Sequence, residues 1–143
     1  MDVTALLTFA SQAGASDVHL SSGEPPMIRL HSEMKKLDHP ILSREKVHDM
    51  IYDIMNDGQR KSFEERLELD FSFDMGAIGR FRVNVFRKET GVGATFRFIP
   101  GNIPTLDSLD LPPVVQKLCD AHQGMILVTG STGTGKSTTL AAM

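Results

Sequence analysis

Gly130-Ser131-Thr132-Gly133-Thr134-Gly135-Lys136-Ser137 matches the spacing G-x-x-x-x-G-K-[ST] at every fixed position. These residue types suit one task, the holding of a polyphosphate. Gly130, Gly133 and Gly135 let the backbone turn its N–H groups inward with no Cβ in the way, which makes a nest for anionic oxygens. Lys136 supplies a point charge for the β- and γ-phosphates of ATP, and the Ser137 hydroxyl can ligate Mg²⁺. Thr138 continues into a helix whose N-terminus adds partial positive charge. A glycine-rich turn that binds nothing is the bland alternative. A chance match in a chain this long is on the order of one in a hundred or less. The binding segment therefore runs from Gly130 to Thr138.

Such a loop needs a strand before it and a helix after it. Met125, Ile126, Leu127 and Val128 form an apolar run without alternation, which predicts a strand buried on both faces, as in a parallel sheet. "KSTTLAAM" predicts the helix, about 12 Å long at the usual rise. Hydrolysis also needs an acidic residue on a neighbouring strand to hold magnesium, and a group to position the attacking water. In doubly wound sheets both lie downstream of the loop. The sequence therefore reads as a piece cut just after its phosphate loop, and these residues alone are expected to hydrolyse no ATP.

The preceding hundred residues have a different pattern. Val3, Leu6, Leu7 and Ala10 recur at helical spacing and stop before Gly14. "SDVHL" alternates, with Val18 and Leu20 on one face and Asp17 and His19 on the other. "MIRL" predicts a second short strand, and "KKLDHPILS" a third with a loop. Ser43 caps a helix carrying Val47, Met50, Ile51, Ile54 and Met55, and Phe63 with Leu67 mark one more short helix. "LELDFSFDM", "RFRVNVFRK" and "GVGATFRFI" all alternate, which predicts an antiparallel meander with one buried face. This is an α+β pattern over residues 1–100. A proline-rich linker follows at 101–113, and the start of an α/β domain at 114–143.

Composition excludes several classes. With 41% hydrophobic and 23% charged residues and a net charge of −3, the chain is globular and lacks the broad basic footprint of a nucleic-acid binder. Its one cysteine, Cys119, cannot form an internal disulfide and fits a reducing compartment. The N-terminus lacks the basic region of a signal peptide, and no apolar run reaches the ~20 residues of a membrane span. A cytoplasmic chain without membrane insertion is expected. His19, His31, His39, His48 and His122 show no metal-ligand spacing with Cys119 or one another, so solvated or capping roles suffice. Met50 and Met55 read as core.

"ASDVHLSSGEPPMIRL", "IYDIMNDGQRKSFEERLELDFSF", "GRFRVNVFRKETGVGATFRFIP" and "GMILVTGSTGTGKSTTLAAM" together resemble the retraction ATPases of type IV pili. These are the twitching-motility motors of the type II/IV secretion ATPase superfamily. The similarity runs from Met1 to Met143. It implies a PAS-like N-terminal domain, a linker and a RecA-like ATPase domain. It also implies a homo-oligomeric, hexameric ring working with the pilus machinery at the cytoplasmic face of the inner membrane. Two departures stand out. "LHSEM" occupies a place where an Asp-Gly hairpin turn is common, and the acidic and histidine boxes of the ATPase domain are absent from these residues. Alternatives within the superfamily are a pilus-extension or type II secretion ATPase. A non-catalytic docking or assembly module is the alternative outside it.

The resemblance further implies that two arginines, Arg82 in "FRVN" and Arg97 in "FRFIP", approach the γ-phosphate as arginine fingers. The residues themselves leave two readings open. A symmetric turn at Glu89-Thr90 sets Arg97 directly across from Arg82, and like charges so placed destabilise a hairpin unless an anion relieves them. A loop of Ala77, Ile78 and Gly79, with Gly79 as a left-handed bulge, would set Asp74 opposite Arg82 and neutralise it instead. On that reading Arg97 is the arginine less accounted for.

Overall fold

A computed structural model describes residues 2–101, 103–131 and 133–143. The chain divides into two compact units, Met1–Pro100 and Gly101–Met143. In the first, α1 (Val3–Gln12) begins at Asp2, whose carboxylate accepts the Ala5 N–H at 2.7 Å, and it ends ahead of Gly14 at φ 73°. There follow β1 (Asp17–Ser21), β2 (Met27–Leu30), β3 (Glu33–Lys36), α2 (Arg44–Tyr52), α3 (Asp57–Arg66), β4 (Glu68–Asp74), β5 (Arg80–Lys88) and β6 (Gly91–Ile99). Ser43 caps α2 by accepting the Lys46 N–H, and Asn56 caps α3 in a reciprocal pair with Gln59.

All strand pairs are antiparallel, and the six strands form one sheet in the order β3-β2-β1-β6-β5-β4. The meander is therefore only half of the sheet, and β1 extends it by pairing with β6. Val18 and Leu20 of β1, Ala94 and Phe96 of β6, and Val83 and Val85 of β5 share one core with Leu6 and Leu7 of α1 and Val47 and Ile51 of α2. Each such large side chain contributes about 1.5–3 kcal/mol relative to exposure. Phe81 in the core meets Phe98 edge to face at 5.4 Å. Alternation sends the polar residues of the same strands to the opposite face, so the helices cover one side and the chemistry is displayed on the other.

Phe63 and Leu67 do mark a helix, with Leu67 ending α3 in the left-handed region at φ 62°. Two local expectations need correction. Gly79 is not a left-handed bulge after a three-residue loop. Residues 75–79 make a longer connection with a 3-10 turn at Gly76–Ile78, held by the Asp74 carboxylate accepting the Gly76 N–H at 2.8 Å. The register accordingly sets Asp74 opposite Arg80 rather than Arg82. "LHSEM" still forms a two-residue hairpin turn, with His31 and Ser32 at φ 48° and 69°, the positive values that normally select Asn-Gly.

The second unit holds a 3-10 turn at Asp107–Leu109, α4 (Val114–Cys119) behind Pro112 and Pro113, and α5 (Lys136–Ala142). None of its described residues is buried. The buried strand expected at Met125–Val128 is not formed, and Met125, Ile126 and Leu127 are 81%, 43% and 73% exposed. A parallel strand exists only through hydrogen bonds to neighbours, and the unit has no other strand among its described residues. No described helix is long and apolar enough to cross a membrane.

Candidate functional site

The phosphate-loop residues lie in the second unit. Gly133 and Gly135 adopt φ 83° and 86°, the left-handed region open to glycine, and Gly135 is the N-cap of α5. At Gly130 a Cβ would come within 2.7 Å of Thr134 Oγ1, so the loop closes on itself only with glycine there. Thr134 Oγ1 donates to the Ser131 carbonyl at 2.8 Å, and Lys136 Nζ donates to the same oxygen. Gly133, Gly135, Lys136, Ser137 and Thr138 line an open concavity with no carboxylate among them. Thr132 lies outside the described residues. The donor types fit a magnesium-bound polyphosphate: loop backbone N–H groups, one ammonium and one hydroxyl. The ammonium rests on a neutral carbonyl, a weaker acceptor than a phosphate oxygen.

The arginines lie in the first unit, on the polar face of the sheet. At one level across the strands the register aligns Arg29, Asp17, Arg97, Arg82 and Ser72. The next level holds Met27, His19, Thr95, Asn84 and Asp70. Arg82 and Arg97 are directly opposed, as the symmetric Glu89-Thr90 turn requires. Their counter-charges differ from those expected. Asp74 pairs with Arg80 at 3.2 Å, not with Arg82. Arg82 instead reaches diagonally to Asp70, with Nε at 3.4 Å and a terminal nitrogen at 3.3 Å.

Arg97 is far from unaccounted for. Its Nε donates at 2.9 Å to Asp17, a carboxylate only 5% exposed, while the arginine itself stays 67% exposed. Asp17 also accepts from Ser16 Oγ at 2.9 Å and pairs with Arg29 Nε at 3.2 Å. Burial works against its ionisation, but the hydrogen bonds from Arg97 and Ser16 outweigh it and hold the carboxyl below its ordinary value. Sequence reasoning passed over Asp17 as an outward strand residue. Alternation gave its face correctly; its partner sits 80 residues away on β6. Asp70, Asn84, Thr95 and the two arginines line a shallow depression. Two guanidiniums against one carboxylate in the lining leave the depression itself one positive charge, which suits an incoming anion.

His19 sits across from Thr95, its Nδ1 3.3 Å from the threonine Oγ1. Its Nε2 is buried with no hydrogen-bond partner among the described residues. Burial pushes the ring below its ordinary pKa, with Arg29 and Arg97 acting the same way and Asp17 opposing them. No cluster of His, Cys, Asp or Glu among the described residues could hold a metal ion.

The chain is 52% identical over 143 residues to a type IV pilus retractation ATPase, PilT, of Pseudomonas aeruginosa, covering all of this chain and 42% of that protein. It is 48% identical over 118 residues to a twitching motility protein of Neisseria gonorrhoeae, covering 82% of this chain and 32% of that one. A crystal structure of the pilus retraction motor PilT with bound ADP superposes with a TM-score of 0.89 at 42% identity, covering 100% of this chain and 42% of that one. The chain thus spans less than half the length of these relatives. The family model of the type II/IV secretion system protein matches residues 1–143, and the chain belongs to that family.

Proposed function

We propose that these residues are the nucleotide-gripping part of an ATP-driven motor that retracts type IV pili. The observation that carries this is the loop Gly130–Ser137 leading into α5, with Lys136 and the left-handed Gly133 and Gly135 at its mouth. The PilT structure with ADP supports nucleotide as the ligand. On this reading residues 1–100 are the N-terminal domain, 101–113 a linker and 114–143 the opening of a RecA-like ATPase domain. The loop backbone from Gly130 to Thr138 cradles the phosphates, and Lys136 leaves the Ser131 carbonyl for a γ-phosphate oxygen. Ser137 offers its hydroxyl to Mg²⁺, which when bound neutralises charge on the phosphates. Arg97 and Arg82, brought up within a hexameric ring, stabilise charge on the transferring γ-phosphoryl group. The ring works at the cytoplasmic face of the inner membrane through the pilus machinery.

The sequence after Lys136 reads STTLAAM and contains no acid. The 143 residues by themselves should therefore bind Mg-ATP weakly and release no phosphate. For the full-length protein, the direction of work is tested in cells. Lys136→Ala should abolish twitching while surface pili accumulate, because assembly continues without disassembly. Loss of surface pili would instead identify an extension motor.

A further inference from the structure

We propose that Asp17 is a positioning residue that holds Arg97 by its Nε and thereby presents the two terminal guanidinium nitrogens to the phosphate. The inference rests on the reading of Arg97 given above. It starts from the contrast between two opposed arginines. Arg82 is gripped side-on by a half-exposed carboxylate, with Nε and one terminal nitrogen both engaged. Arg97 is engaged among the described residues through Nε alone, so both of its terminal nitrogens remain available.

The anchor is also better fixed. Asp17 opens β1, a strand paired on both sides, with Arg29 opposite it on β2 and Arg97 opposite it on β6. Ser16, Arg29 and Arg97 hold its two oxygens from three directions. A mostly exposed arginine would otherwise sample many rotamers, and ordering it at the moment of reaction would cost free energy. Tethering it beforehand leaves the tip aimed and the cluster net positive, because the single carboxylate is shared between Arg97 and Arg29. Asp17 thus acts through Arg97 rather than on the nucleotide.

The experiment is a double-mutant cycle on ATP turnover by the full-length protein, read in steady-state phosphate-release assays with thermal melting of every variant. Arg97→Ala alone tests the underlying reading. If its turnover is normal, that reading fails and the present inference falls with it. Given a crippled Arg97→Ala, Asp17→Asn should lower kcat by ~10²-fold, the scale of an ångström-level misplacement, with KM within twofold. It should have no further effect in the Arg97→Ala background and its full effect in the Arg82→Ala background. Arg97→Lys, which keeps the charge but cannot offer both an Nε anchor and a free fork, should fall nearly as far as Arg97→Ala. This variant keeps the test open should Asp17→Asn fail to fold. Normal turnover by Asp17→Asn, equal losses in the presence and absence of Arg97, or near-normal activity of Arg97→Lys would overturn the proposal.

Discussion

Asp70→Asn in the full-length protein isolates what the second arginine gives up to its ion pair. Asp70 and Arg82 are 50% and 65% exposed and meet at 3.3 to 3.4 Å, so an anion arriving at Arg82 competes with a carboxylate in water. Exposed pairs of this kind are worth about 0.2–1 kcal/mol. At 1.4 kcal/mol per factor of ten, releasing Arg82 should tighten its hold on phosphate by roughly 1.4- to 5-fold. Asparagine keeps the shape and one acceptor but removes the charge. The expected result is a kcat for ATP hydrolysis raised by up to that factor at low salt, with KM for Mg-ATP within twofold, because Arg82 acts on the transferring phosphoryl group. The difference should shrink as ionic strength passes about 0.15 M, where the screening length is near 8 Å. Steady-state phosphate release at several salt concentrations measures it. A kcat that falls would refute the reasoning, since Asp70 would then be assisting Arg82 rather than competing for it.

The hairpin at His31-Ser32 carries two non-glycine residues at positive φ. The double change to Asn-Gly should stabilise the chain by about 1 kcal/mol and raise Tm by roughly 4–8 °C; an unchanged or lower Tm would mean the turn is not strained. His19 is held below its ordinary pKa of 6.5, so the unfolded chain binds its proton first and stability falls as pH drops below that value. Thermal melts from pH 8 to 5 should show this decline, and His19→Gln should flatten it. An identical slope in the variant would remove His19 as the cause.

Much of the first unit was legible because its signals are local. Alternation in β4 to β6, the Ser43 cap and the two-residue Glu89-Thr90 turn each depend on residues near one another, and the turn alone fixed Arg82 against Arg97. What escaped was non-local or set by loop length. The β1–β6 pairing joins residues some 80 apart, so Asp17 could be given a face but not a partner. The connection after β4 is two residues longer than its glycine suggested, and that shift moved Asp74 from Arg82 to Arg80. In the second unit the phosphate-loop pattern was readable because glycine, lysine and serine each have a chemical reason for their place. The apolar run before it was not readable as structure, since a parallel strand needs neighbours that the run itself cannot encode.

The claim that Gly130–Thr138 grips the phosphates of a hydrolysed nucleotide is tested most directly by phosphate release from Mg-ATP in the full-length protein. The wild type should turn over steadily. Lys136→Ala should fall to the enzyme-free background with its fold intact, and Lys136→Arg should not rescue it, because a planar fork does not replace a point charge in this cradle. Turnover by Lys136→Ala within tenfold of the wild type would contradict the account.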